Sequence, residues 1–169
     1  MKGIYLCARS ARHLNYNLDY NDIDPKFNCN LTCDCKTVDL SKYDFIIATP
    51  PCNYWSIANY RREKSKVALE TKHLLKYCLE SCIKANVPFI VENVRNAPLF
   101  RKNDLMNYPL NIYYIGRHTY RTNVELNLNN IPDQELEFVA KKSYGNRDNT
   151  KNVYNVIEEF LRVIHKEEE

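Results

Sequence analysis

The run Pro88-Phe89-Ile90-Val91-Glu92-Asn93-Val94 is apolar for most of its length and turns polar only at Glu92-Asn93, near its carboxyl end. A strand with one wet face alternates polar and apolar residues, so a near-continuous run belongs to a strand covered on both faces, as in a parallel sheet between helical layers. The preceding sequence agrees. Between 65 and 85, Val67, Leu69, Leu74, Leu75, Cys78, Leu79, Cys82 and Ile83 recur at three- and four-residue spacing with Lys and Glu on the other face, which predicts one helix. Ahead of it, 45–49 is a second apolar run, completing a strand–helix–strand unit.

The same reading predicts strands at 4–7, 18–23 and 31–35, a strand pair at 112–115 and 123–128 around Gly116, and a closing helix at 153–164. Strands alternating with helices give an α/β fold with a mostly parallel sheet flanked by helices. With no repeat, linker or low-complexity tract, the 169 residues read as a single domain, 1–169. The tail Lys166-Glu167-Glu168-Glu169 reads as solvated.

Charge narrows the function classes little. A net charge of +3 and a pI near 8.4 permit contact with phosphate without the strongly basic footprint of a dedicated nucleic-acid binder. The start, Met1-Lys2-Gly3-Ile4-Tyr5, lacks a long apolar stretch, and the seven cysteines are an odd number. Reduced thiols in a cytoplasmic compartment, and no membrane partner, are the expectation. Cys29, Cys33 and Cys35 invite a metal reading, but no second Cys or His pair completes a tetrahedral set and His13 stands alone, so no metal is expected. Cys78 and Cys82 read as core, and His73, His118 and His165 as surface residues, His118 beside Arg117 being within reach of a phosphate.

Chemistry concentrates where Tyr43-Asp44-Phe45-Ile46-Ile47-Ala48-Thr49 runs into Pro50-Pro51-Cys52. α/β folds bind ligands at the carboxyl ends of their strands. Two consecutive prolines fix φ and remove two donors, so the corner is stiff and presents the next side chain in a defined position, as a nucleophile requires. The bland alternative is a buried structural thiol, the usual fate of a free cysteine.

Pro50-Pro51-Cys52-Asn53-Tyr54-Trp55-Ser56 resembles the Pro-Cys catalytic loop of cytosine-C5 DNA methyltransferases, including a serine four residues after the cysteine. Val91-Glu92-Asn93-Val94 is similar to that family's Glu-Asn-Val strand end. Tyr120-Arg121-Thr122-Asn123 resembles its arginine-bearing segment, without the full Gln-x-Arg-x-Arg form; the order of the three is the family's. The resemblance, to a small phage-type member, implies a Rossmann-like S-adenosylmethionine-dependent methyltransferase fold and methyl transfer to C5 of cytosine in DNA through a covalent Cys52 adduct. It implies that Glu92 assists at the ring N3, Asn93 holds the loop and Arg121 steadies the ring or a phosphate. It places S-adenosylmethionine against Leu6 and Pro50, its ribose hydroxyls on Asp22 and its adenine amino group on Asp34. DNA contact is assigned to Ser56, Arg61, Arg62 and Lys64.

Two departures bear on that reading. The turn Cys7-Ala8-Arg9-Ser10-Ala11-Arg12 stands where the family has glycines, and Arg9 and Arg12 favour an anionic ligand over a sulfonium. The stretch between Arg121 and Ser143-Tyr144-Gly145-Asn146, read as the family's final motif, is too short for a target-recognition domain. Recognition therefore comes from a separate subunit, or is minimal, or the substrate is not a duplex. The alternatives are a degenerate, non-catalytic fold that engages nucleic acid or protein, and an amino-methyltransferase, in which an aromatic residue would follow the prolines.

Overall fold

Short apolar runs in the first half of the chain become the parallel part of one sheet. The computed structural model describes residues 1–9, 14–95, 97, 110–131 and 149–166. The strands are β1 (Gly3–Leu6), β2 (Leu18–Asp22), β3 (Leu31–Thr32), β4 (Phe45–Ala48), β5 (Phe89–Val94), β6 (Asn111–Ile115) and β7 (His118–Thr122). The helices are α1 (Lys66–Thr71), α2 (Leu74–Ala85) and α3 (Asn149–Lys166), with several 3-10 turns between. The sheet has seven strands in the order β3-β2-β1-β4-β5-β7-β6. Strands β1 to β5 run parallel, while β7 is antiparallel to both neighbours.

Both faces are covered, which is why β4 and β5 read as continuous apolar runs. Tyr5, Phe45, Ile47 and Ile90 pack against α3 through Val156, Phe160 and Leu161. Ile4, Leu6, Ile46 and Val91, on the other face, pack against α2 through Leu75, Cys78 and Leu79. The chain reverses direction across the sheet between β1 and β4: β2 and β3 lie on one side, β5 on the other. The crevice beyond the carboxyl ends of two such strands is where open α/β sheets bind ligands.

Three sequence expectations shift. The strand returning from β6 is His118–Thr122, not 123–128, because Gly116, at φ 56°, closes a tight turn and β7 begins directly after Arg117. The single helix at 65–85 is two: Ser65 caps α1 through Ala68 N, and the Thr71 hydroxyl donates to the Val67 carbonyl (2.8 Å), a competing bond that bends helices. Val67 and Leu69 consequently face solvent. The strand at 31–35 stops at Thr32, because the Asp34 carboxylate accepts from Lys36 N and starts a 3-10 turn, Cys35–Thr37.

Gly3 is required by close approach. A Cβ built there would lie 2.2 Å from the Phe45 ring, which is itself fully buried between β1 and α3. Gly3→Ala is expected to lower stability by about 2 kcal/mol through overpacking, measured by chemical denaturation.

Candidate active site at the carboxyl edge of the sheet

Strand β4 delivers Thr49-Pro50-Pro51-Cys52 to the carboxyl edge, and β5 delivers Glu92-Asn93 beside it. Asn93 joins the two. Fully buried, it donates from Nδ2 to the Pro50 carbonyl (2.9 Å) and accepts from Val94 N at Oδ1 (3.0 Å). The proline corner, which has no amide hydrogens of its own to anchor it, is thus held from the neighbouring strand. Past the corner the Cys52 carbonyl accepts from both Trp55 N (2.9 Å) and Ser56 N (2.8 Å), closing a tight turn. Ser56 serves that turn, its hydroxyl also accepting from Ala58 N (3.3 Å). The Trp55 indole N–H is buried without a hydrogen-bond partner among the described residues.

The Cys52 thiol is half-buried. Burial pushes its pKa up, the Glu92 carboxylate adds to the rise, and a backbone hydrogen bond and the Arg9 guanidinium pull the other way. Glu92 and Arg9 therefore both lie within electrostatic reach of the Cys52 sulfur. At neutral pH the sulfur carries its proton, and the reactive thiolate fraction rises with pH above the ordinary thiol range. Removing the negative neighbour lowers the thiol pKa, so Glu92→Gln is expected to speed alkylation of Cys52 by iodoacetamide at a fixed neutral pH, followed by peptide mass spectrometry; an unchanged rate would mean the two groups do not interact.

Glu92 has a partner that sequence reasoning passed over. His118 Nδ1 lies 2.5 Å from Glu92 Oε1, and both side chains are largely buried. The contact ties the Glu92 carboxyl group to the imidazole. The signal was present in the Gly116-Arg117 turn: it makes His118 the first residue of β7, opposite Val94 and two residues from Tyr120, which faces Glu92.

Arg121 is set apart. It pairs with Val91, and directly opposed residues of an antiparallel pair share a face, so Arg121 lies on the α2 side of the sheet while Glu92 and Tyr120 lie on the α3 side. It is 3% exposed, and burial lowers its pKa. From the same segment, Asn123 accepts from Phe89 N (2.9 Å) and donates to the Val87 carbonyl (3.0 Å), stitching the start of β5.

On the upstream side, Asp22 ends β2 nearly buried, its carboxylate accepting from Arg9 N (2.9 Å) and Asp24 N (3.0 Å). The turn it holds contains no glycine, yet Cys7 and Arg9 adopt φ of 55° and 50°. The backbone takes the left-handed path that glycine would allow, at a cost of about 1 kcal/mol per residue. Leu6 is fully buried core and its carbonyl accepts from Thr49 N (3.2 Å). Asp34, its side chain 42% exposed, caps the 3-10 turn and lies 3.9 Å from Lys36 Nζ. A cavity of about 240 Å³ is lined by Arg9, Leu18, Tyr20 and Phe27 among others, under β2; neither Cys52 nor Glu92 borders it.

Beyond the Cys52 turn the surface is basic and aromatic. Tyr60 is 81% exposed with the Arg61 guanidinium 5.4 Å from its ring centre, and Ile57 and Lys64 are exposed nearby in sequence. Arg62 is partly tied down, donating to the Tyr54 carbonyl at 3.4 Å.

All seven cysteines are free, and three that looked unrelated in sequence meet: the sulfurs of Cys7, Cys35 and Cys78 lie within 4.8 Å of one another. No helix among the described residues is long and apolar enough to cross a membrane. Ser143-Tyr144-Gly145-Asn146, Arg12 and His13 lie outside the described residues. In comparisons with known proteins, no family model matches the chain and no curated protein matches it.

Proposed function

We propose that the protein transfers a methyl group to C5 of cytosine in DNA, through a covalent bond between Cys52 and C6 of the base. The observation that carries this reading is the Asn93–Pro50 hydrogen bond, which locks the nucleophile corner to the strand that supplies Glu92. The strand order, with β1 and β4 at the point of reversal, supports a Rossmann-like methyltransferase fold.

The residues present are compatible with S-adenosylmethionine. Each Asp22 oxygen accepts a single backbone N–H, which leaves lone pairs for ribose hydroxyls, and the left-handed residues Cys7 and Arg9 keep the turn's path without glycine. Asp22 would hold the ribose and Asp34 the adenine amino group. When bound, S-adenosylmethionine supplies the methyl group.

The chain's own residues do the rest. Glu92 donates a proton or hydrogen bond to N3 of the ring, and His118, against Glu92 Oε1, orients the carboxyl group. The ring thereby becomes electrophilic at C6, where the Cys52 sulfur adds after losing its proton to solvent; C5 thereby becomes nucleophilic toward the methyl group that the cofactor would supply, and loss of the C5 proton to solvent expels the Cys52 thiolate and restores the ring. In a duplex the base must first leave the stack, at a cost of a few kcal/mol. Phosphate contacts from Arg61 and Lys64, with Tyr60 as a stacking surface, offset part of that cost. Removing both cations, Arg61→Ala with Lys64→Ala, is expected to weaken oligonucleotide binding uniformly across sequences and to reduce the slope of log K against log salt by about 2. An unchanged slope would remove this surface from the interface.

The test of activity is incubation with labelled S-adenosylmethionine and a cytosine-containing oligonucleotide, followed by base analysis. Label in 5-methylcytosine supports the reading; label in N4-methylcytosine or N6-methyladenine would point to the amino-methyltransferase. A second reading, a non-catalytic fold that binds nucleic acid or protein, is favoured by one feature: the Arg9 cation stands at the turn where a sulfonium would lie. Calorimetry separates them, since stoichiometric binding of S-adenosylmethionine excludes the second reading.

A further inference from the structure

We propose that Cys7, Cys35 and Cys78 form a three-thiolate site for a single thiophilic metal ion, monovalent copper by its coordination number. The ligands come from three places: the turn after β1, the 3-10 turn after β3, and the sheet-facing side of α2. All three side chains are buried and their sulfurs lie within 4.8 Å of one another. A metal–thiolate bond of about 2.3 Å puts the three sulfurs of a trigonal site about 4 Å apart, so the cluster closes on an ion with sulfur shifts below about 1 Å.

Three thiols also pack as apolar groups, and Cys82, one turn further along α2, does that: it is fully buried and joins no other ligand. The cluster differs because its members face each other. Three buried sulfurs brought together from separate elements are a soft donor set. The ligand count chooses the ion. Structural zinc takes four ligands, and among the described residues no fourth His, Cys, Asp or Glu completes the set, whereas monovalent copper is a soft ion selected by thiolates. Ligation displaces the cysteine protons to solvent, so affinity rises with pH. The bound ion ties the turn bearing Cys7 and Arg9 to α2, and the inference is independent of methyl transfer.

The test uses the full reduced chain under anaerobic conditions, with the more exposed thiols removed by Cys29→Ser, Cys33→Ser and Cys52→Ser. It is titrated with copper(I) against the chelator bathocuproine disulfonate and, in parallel, with zinc(II) against a chromophoric chelator. Expected are one copper per chain retained against the competitor, thiolate-to-copper charge-transfer absorption, a melting midpoint raised by on the order of 5 °C, and zinc held at least about tenfold more weakly. Cys78→Ser abolishes retention and Cys82→Ser does not; if circular dichroism shows Cys78→Ser unfolded, Cys35→Ser takes its place. Loss of copper to the competitor, equal retention by the cluster variants, or preference for zinc overturns the proposal.

Discussion

Cys52→Ala is expected to abolish methyl transfer, lowering the turnover rate by on the order of 10⁴-fold or more while leaving the fold and oligonucleotide binding in place. The size follows from the chemistry: without covalent addition at C6 the ring has no route to a nucleophilic C5, so no residual pathway of comparable rate exists. The benign structural effect follows from burial. Cys52 is half-buried in a turn held by its backbone carbonyl, and its side chain belongs to neither apolar cluster. Equal activity of Cys52→Ala and the unaltered chain would place the chemistry elsewhere; equal and complete loss of structure would instead make Cys52 a packing residue. Thermal melts and single-turnover assays on the same preparation decide between these results.

The second large effect belongs to Asn93. Asn93→Ala removes both the donor to the Pro50 carbonyl and the acceptor for Val94 N from a site with no exposure to water. Loss of about 2–3 kcal/mol of stability is expected, because the orphaned carbonyl and amide keep their desolvation cost. Methyl transfer falls further than stability explains, by about 100-fold, since a displacement of the nucleophile by about 1 Å has an effect of that order. Two measurements distinguish positioning from general damage. Alkylation of Cys52 by a small reagent should be unaffected or faster, because a loosened corner does not hinder an unoriented electrophile. Asn93→Asp, which keeps the acceptor but buries a carboxyl group against the Pro50 carbonyl, should lose at least as much stability as Asn93→Ala and at least as much activity. Activity tracking stability in both variants would show that Asn93 merely packs.

Continuous apolar runs made β4 and β5 legible, and the double proline followed by cysteine made the corner legible, because those signals are local and each has one mechanical meaning. The amphipathic spacing of 153–164 likewise marks α3. What escaped is non-local. The break between α1 and α2 depends on where the Thr71 hydroxyl finds an acceptor. The position of β7 turns on Gly116, and a shift of that strand decides which side chains share a face. Thus Arg121 pairs with Val91 on the α2 side, and His118 meets Glu92. The Cys7–Cys35–Cys78 cluster is invisible in one dimension for the same reason: its members are brought together only when β1, the end of β3 and α2 are stacked.

The left-handed backbone at Cys7 and Arg9 also lay beyond sequence reasoning. Asp22 grips the Arg9 amide, and the main chain at these two residues takes a path that β-carbon sterics disfavour. Strain of this kind persists where surrounding structure over-determines it, and it clusters at ligand sites.

The proposed reaction turns on a bond between the Cys52 sulfur and a cytosine ring that Glu92 activates. Incubation of the chain with S-adenosylmethionine and an oligonucleotide carrying 5-fluorocytosine tests it directly, because fluorine at C5 cannot leave as a cation and the adduct is trapped. The expected intact mass equals protein plus methylated oligonucleotide, with the bond mapped to Cys52 and absent in Cys52→Ala. A mass unchanged from that of the free protein, in a preparation that binds both the oligonucleotide and the cofactor, would contradict it.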